Sequence, residues 1–578
     1  MGCYTDEVNI QILIALLKKH GIRKVVASPG TTNISFVASV QFDKDFEVYS
    51  CVDERSAAYM ACGMSAQSGE SVVLSCTGAT ASRNYLSALT EAYYRKLPIL
   101  AVTSAQHLGR IGQNIPQVID RSQSPKDTNL LSVHIPSVQS DIDRWACELT
   151  INKALLELRH RGGGPVHINL VTNYSEKFDV KALPEVNVIT RIESDDELPE
   201  LTGSKVGIVV GNHKPWTKAE QDAAERFCET YNAVVICDHT SKYHGRYKVN
   251  AGLVATQRTG FVSCRHMDVL ISFGDVSGAY LGVSADEVWR VNPDGEVRDT
   301  YKNLKYVFEM TEKDFLLRYT KVKKSVKGTG YLDEWLMARK DLEGNLDELP
   351  FSNCWLAKET APKLPIGCTL HFGILNSLRS WNFFDIDESV DVYCNTGGFG
   401  IDGCLSSLIG ASVVEREKLF LGVIGDLSFF YDMNALGNRH IGSNLRLLVV
   451  NNGNGTEFKN YMHTAYQFGQ DADKYISAAG HFGKKSKQLM RHYAEDLGFL
   501  YLSASNKQEY LNQMPIFVDS KKNDRPILFE VFTDSKDESD ALRILYNLDK
   551  TGRNVMKGLG RKILGEHGYQ ILKNMVKE

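Results

Sequence analysis

The 578-residue chain has no apolar stretch of membrane-spanning length and no marked excess of charge of either sign. The first absence excludes a membrane span from the expected architecture. Its 66 Lys and Arg against 70 Asp and Glu leave a net charge of −4, which offers no electrostatic footprint for nucleic acid. None of the twelve cysteines forms a CxxC pair, and most lie in apolar runs such as VVICD and SVVLSC. They read as reduced core residues of a cytosolic protein. The opening MGCYTDEVNI lacks the basic and apolar regions of a signal peptide, and Asp6 breaks a myristoylation pattern at Gly2. Short-period repeats and low-complexity tracts are missing too. These absences point to a cytoplasmic, globular chain, and 43% apolar with 24% charged residues is ordinary for one.

What is present is alternation. KVVASPG, FEVYSCVDE, SVVLSCTGAT, PILAVTSA and GPVHINLVT are strand candidates ending in turn residues, and residues 6–20, 54–68 and 82–95 between them have helical periodicity. The pattern predicts a parallel, doubly wound sheet. The polar, acidic stretch 181–200 reads as a linker. A second set follows (KVGIVVGNH, AVVICD, DVLISFGD, EVWRVNPDG, KYVFEMT), closed by the charged stretch 311–350. A third contains DVYCNTGG, LFLGVIGD, LRLLVVNNGNG, LGFLYLSAS and PILFEVFTD. The expected architecture is α/β, with three doubly wound parallel-sheet domains at 1–182, 183–350 and 351–544. A basic helical extension, 545–578, follows. Its seven Lys and Arg against three Asp and Glu would suit packing on its own protein, a membrane surface or an acidic partner.

The chemistry starts where the strand LFLGVIGD ends on an acid. Asp426 by itself would serve as a helix cap. A second buried strand, RLLVVNNGNGTEF, ends 26 residues later in Asn451 and Asn452 followed by glycines. In a doubly wound sheet the carboxyl ends of neighbouring strands meet at the ligand crevice, so Asp426 and Asn452 are expected side by side. A carboxylate, an amide oxygen and a free carbonyl are hard ligands suited to Mg²⁺ and a diphosphate, with Asp426, Asn452 and Asn454 as the metal set. Gly425, Leu427, Ser428, Gly453, Asn454 and Gly455 would line the phosphates, and a helix beginning near Asp432 would add its positive end.

This GD…NN arrangement resembles the thiamine diphosphate signature. SPGTTN, DERSAAYMACGMSAQSG, CTGATASRNYLSALTEAYYRKLPILAVTS, NTGGFGIDGCLSS and GDLSFFYDMNAL extend the likeness across nearly the whole chain. Together they resemble the 2-succinyl-5-enolpyruvyl-6-hydroxy-3-cyclohexene-1-carboxylate (SEPHCHC) synthases of menaquinone biosynthesis. Those belong to the thiamine diphosphate-dependent 2-oxo acid decarboxylase superfamily. The resemblance implies pyrimidine-binding, central and diphosphate-binding domains. It also implies a homodimer, or a dimer of dimers, whose active site takes Glu54 from one chain and Asp426 from the other. Glu54 would be the carboxyl group facing N1′ of the aminopyrimidine, promoting deprotonation of the thiazolium. Ile401 would be the hydrophobic pillar under the cofactor, and Gln117 the glutamine facing the reacting carbons. As isolated residues, Glu54 reads equally as a first-turn helix acid, Ile401 as core and Gln117 as loop.

The chain also departs from that pattern. The synthases grip anionic substrates with arginines, whose guanidinium forks bind carboxylates bidentately. At the matching positions this chain has Thr32, Thr396 and Tyr280. Selectivity for 2-oxoglutarate and isochorismate is therefore not expected, and a monocarboxylic donor such as pyruvate is, unless Arg83 or Arg110 supplies a relocated anion site. His107, His371 and His463 are candidate proton shuttles or structural histidines. The reading is decarboxylation of a small 2-oxo acid with transfer of the acyl-anion equivalent to an acceptor, outside menaquinone synthesis. The synthase proper, a non-ligating decarboxylase and a non-catalytic binding protein are the alternatives.

Overall fold

The computed structural model describes residues 4–121, 123–258, 262–279, 281–322, 329–479 and 486–550. Two compact units divide them: residues up to Asp195 together with Gly295–Glu309, and Asp196–Asp294 together with the chain from Met310 onward. The basic extension expected from residue 545 lies, beyond residue 550, outside the described residues.

In the first unit, β1 (Lys24–Ala27), β2 (Glu47–Ser50), β3 (Val72–Cys76), β4 (Ile99–Ala105), β5 (Leu131–Ile135) and β6 (Val166–Val171) form one sheet. Its order is β2-β1-β3-β4-β6-β5, with every pair parallel. The strands are apolar at consecutive positions because both faces are covered. Val25, Val73, Leu100 and Val102 pack with helices Val8–Lys19 and Asp141–Glu157, whereas Val26, Leu74, Ile99 and Ala101 pack with helices Glu54–Ser68 and Leu86–Arg95. The alternation places the end of each strand between two helical layers.

The chain continues through β7 (Thr190–Ile192), β8 (Val206–Val210), β9 (Ala233–Cys237), β10 (Lys248–Asn250), β11 (His266–Phe273), β12 (Ser284–Val291) and β13 (Leu304–Phe308). In the second unit five of these run parallel in the order β10-β9-β8-β11-β12. In the first unit β7 pairs in parallel with β13, Tyr306 opposite Thr190. The 181–200 stretch is thus not linker throughout. Val186 and Val188 pack on the first unit's core, and Ile189 and Ile192 are buried, a β-branched run masked in sequence by its acidic flanks.

The third sheet, also in the second unit, contains β14 (Thr369–Phe372), β15 (Asp391–Cys394), β16 (Phe420–Gly425), β17 (Leu445–Asn451), β18 (Leu500–Ala504) and β19 (Ile527–Phe532). Its order, β15-β14-β16-β17-β19-β18, repeats in chain sense the order of the first sheet, again all parallel. Three parallel sheets with helices are therefore present, as the alternation predicts. Gly425 lies opposite Val450 in the β16–β17 pair, so both strand ends that carry the motif open on one edge.

Candidate active site

Asp426 follows the last residue of β16 and is the first residue of helix Asp426–Asp432. The helix expected near Asp432 therefore starts six residues earlier, at the acid itself. Asp432 instead ends it, and its carboxylate accepts from the backbone N–H and hydroxyl of Ser406, both at 2.6 Å. Asp426 is only 4% exposed. Its Oδ2 accepts from the Gly453 N–H at 2.7 Å and its Oδ1 from the Leu427 N–H at 2.9 Å. Burial pushes its carboxyl up to about 7, against which these backbone donors act. The strand-end juxtaposition expected from sequence is thus direct, since the residue after Asn452 bonds to Asp426.

The loop beyond β17 is shaped by its glycines. Gly453 has φ 68°, a left-handed conformation that L side chains rarely adopt. A Cβ on Gly455 would lie 2.9 Å from the Phe458 ring and 3.1 Å from the Ser477 carbonyl oxygen. Asn454 is fixed by Nδ2 donating to Ser535 Oγ at 2.8 Å and to the Asn452 carbonyl at 3.2 Å, while its N–H donates to Asn452 Oδ1 at 3.3 Å. Ser428 Oγ donates to the Ile401 carbonyl at 2.6 Å, tying the pillar candidate to the helix that Asp426 starts. Ile401 is half-buried. The donor set here is one buried carboxylate, side-chain amide oxygens and backbone carbonyls. Among the described residues no group of three His, Cys, Asp or Glu could hold a metal. A hard cation shared with a phosphate ligand fits that set; a soft one does not.

In the first unit, Glu54 is the first residue of helix Glu54–Ser68, which Asp53 caps by accepting from the Ser56 N–H at 2.7 Å. The half-buried Glu54 carboxylate accepts from Asn84 Nδ2 at 3.0 Å. Asn84 was not foreseen, because nothing in the spacing of residues 54 and 84 marks them as partners. Gln117 sits in an exposed loop with φ 61°, an uncommon conformation for a residue with a Cβ. Thr32 is buried against Thr77, and its hydroxyl accepts from the Gly78 N–H at 3.3 Å.

The other candidates separate. Arg83 is exposed and donates to the Asp120 carbonyl at 2.8 Å, and Arg110 is exposed and bonded to Gln106. In the second unit Thr396 is buried and its hydroxyl meets no partner, and Tyr280 lies outside the described residues. His107 and His463 accept from the N–H two residues on, as caps. His371 stacks on Tyr393 with ring centroids 5.2 Å apart, and burial, with Lys242 nearby, lowers its pKa to about 4.

The second unit thus holds a buried acid closed onto a glycine loop, and the first a helix-first glutamate held by an amide. Accordingly, residues 10–124 match the family described as thiamine pyrophosphate enzyme, N-terminal TPP binding domain. The SEPHCHC synthase of Bacteroides fragilis is 31% identical over 574 residues, 94% of this chain and 99% of that one. The synthase of Bacteroides thetaiotaomicron is 32% identical over 572 residues, with the same coverage. That of Desulfotalea psychrophila is 27% identical over 76% of this chain and 84% of its own. The chain belongs to the family of SEPHCHC synthases, within the thiamine diphosphate-dependent enzymes. A solved structure, a Rhodococcus jostii thiamine diphosphate-dependent 4-hydroxybenzoylformate decarboxylase, is 18% identical with a TM-score of 0.39, covering 91% of this chain and 99% of that one.

Proposed function

We propose that the protein decarboxylates a 2-oxo acid and joins the remaining acyl fragment to an acceptor, in a biosynthetic step outside menaquinone formation, in the cytoplasm. The carrying observation is the closure of Asp426 on the Gly453 amide beside Asn452. Bound there, thiamine diphosphate supplies an electron sink for the carbanion that loss of CO₂ leaves. Asp426, Asn452 and Asn454 would hold Mg²⁺, and the Gly425–Ser428 turn and the Gly453–Gly455 loop would line the diphosphate. Ile401 would give the cofactor its apolar support. Glu54, oriented by Asn84, holds or releases the proton at the pyrimidine N1′. Gln117 would face the reacting carbons.

On this reading the protein works as a homodimer or dimer of dimers, each site combining Glu54 of one chain with Asp426 of the other. The three-domain division at residues 182 and 350 belongs to the same reading. The absence of arginine at Thr32, Tyr280 and Thr396 supports a substrate pair other than that of the menaquinone enzymes. The test is a panel of 2-oxo acids offered to protein loaded with thiamine diphosphate and Mg²⁺, with CO₂ release and trapped product both recorded. Ligated product confirms the proposal. Aldehyde alone replaces it with simple decarboxylation, and no CO₂ from any acid refutes it.

A further inference from the structure

In the third sheet β14 and β17 flank β16, the strand that Asp426 follows, and a ligand crevice forms outside the carboxyl ends of such strands. The connection after β14 enters the helix Asn376–Trp381, which carries Arg379. The loop after β17 runs through Gly455 into the turn Thr456–Lys459, which carries Glu457. These two side chains meet. Arg379 Nη1 donates to Glu457 Oε2 at 2.5 Å and Nη2 to Oε1 at 3.3 Å, a two-pronged pairing of guanidinium and carboxylate. Asn376 Oδ1 accepts from the same Nη1 at 3.3 Å. The Glu457 carboxylate accepts no other hydrogen bond among the described residues. The pair therefore joins connections from the strands on either side of β16, just beyond the glycine loop that closes on Asp426.

Stability gives little account of this pair. Its side chains are 15% and 24% exposed, and at such a site desolvation and side-chain ordering offset most of the attraction. The effect on a ligand is larger. A guanidinium whose two Nη groups already meet a carboxylate has no fork to offer another, and an incoming carboxylate would be repelled by Glu457 itself. The other polar groups at this edge are neutral. Thr396, just past β15, is 1% exposed and its hydroxyl has no partner. Thr456, the neighbour of Glu457, is 6% exposed and its hydroxyl has none either. Buried hydroxyls cost free energy until a hydrogen-bonding group completes them. They can both donate to and accept from an uncharged hydroxyl-bearing group, and they bring no charge to offset a carboxylate.

We infer that Glu457 is a specificity residue: as the resident counter-ion of Arg379 it keeps a second carboxylate off this edge of the site and leaves the edge to an uncharged, hydroxyl-bearing part of the substrate. The inference rests on the proposed reaction for the identity of the site, but its binding event is measured apart from turnover.

The test uses the full chain loaded with thiamine diphosphate and Mg²⁺, into which succinate and erythritol, probes of equal carbon count, are titrated calorimetrically. Wild type should bind succinate no more tightly than erythritol. Glu457→Gln removes the charge and one prong of the pair, and should tighten succinate by roughly tenfold or more while erythritol stays within about twofold. Adding Arg379→Met to that variant should cancel the gain, because the two side chains act as one pair. Glu457→Asp, one methylene shorter, should show a smaller gain of the same sign, and it carries the test if Glu457→Gln does not fold. Succinate affinity equal in wild type and both single variants would overturn the inference, as would a gain that survives the loss of Arg379. Tighter binding of succinate than of erythritol to wild type would overturn it too. A lower melting temperature with unchanged succinate affinity would make the pair a structural tie and nothing more. CO₂ release from pyruvate by wild type tests the proposed reaction separately, and its absence would refute that reaction without altering the expected succinate gain.

Discussion

His167 gives a stability prediction with a defined pH window. It lies on β6, 7% exposed, with Nε2 bonded to the Thr103 hydroxyl at 2.7 Å and Nδ1 to the Ser132 hydroxyl at 2.8 Å. Burial, followed by the charges of Arg121 and Arg83, lowers its pKa from 6.5 to about 3. The unfolded chain therefore binds a proton that the folded chain refuses, throughout the interval between about 3 and 6.5. A depressed folded pKa means stability that is present above pH 6.5 and lost as pH falls. Each unit is worth about 1.36 kcal/mol, so the full interval approaches 5 kcal/mol. In His167→Gln that dependence disappears, while the other histidines titrate alike in both proteins and cancel. Urea unfolding of the two proteins should differ by a fixed offset above pH 6.5. Below it, the difference should shift in favour of the variant by about 1.4 kcal/mol per unit. Parallel stability curves down to about pH 4.5 would refute the reasoning, because His167 would then accept its proton in the folded state.

Three further outcomes follow from the site. Glu54→Gln should keep the fold and the cofactor, since the amide can still pair with Asn84, yet abolish CO₂ release. Thiazolium C2 proton exchange at the wild-type rate would show that Glu54 is not the activating group. Asp426→Ala should weaken thiamine diphosphate binding at saturating Mg²⁺ by more than tenfold, since neutral oxygens cannot offset the diphosphate charge. A cofactor titration that overlays the wild type would remove the metal role from this acid. Gly30→Ala should destabilise the first unit by about 1–3 kcal/mol, because the added Cβ falls 2.6 Å from Thr77 Cβ and 2.9 Å from Asn33 Oδ1. An unchanged melting temperature would mean that this turn opens freely.

The architecture and the meeting of Asp426 with the glycine loop were legible in the chain itself, because both follow from local pattern. Strand and helix periods repeat over a few residues, and a strand that ends in an acid followed by a strand that ends in asparagine and glycines needs only the doubly wound rule to be brought together. The approach of Asp426 to the loop after Asn452 was read that way, whereas Glu54 was singled out by the family resemblance. The short strands β5, β7, β10 and β14 were not, since three to five residues carry too little periodicity to stand out from charged or turn-rich flanks. The helix start was misplaced because Asp426 is at once strand end and first helical residue, and a sequence shows only the acid. Partners distant in sequence were also out of reach, such as Asn84 for Glu54 and Ser535 for Asn454. Arg121, 7% exposed and paired with no carboxylate among the described residues, shows the limit most sharply. Its place in IPQVIDRSQ suggests an ordinary loop arginine, since burial and the lack of a counter-ion are properties of what surrounds a side chain. Ser104 and Gly78, which meet it, lie 17 and 43 positions away, and only the folded chain brings them to the guanidinium. Sequence determined the family to which this chain belongs; the tertiary structure decided where a buried charge was left without a counter-ion, because desolvation and pairing are set by neighbours in space.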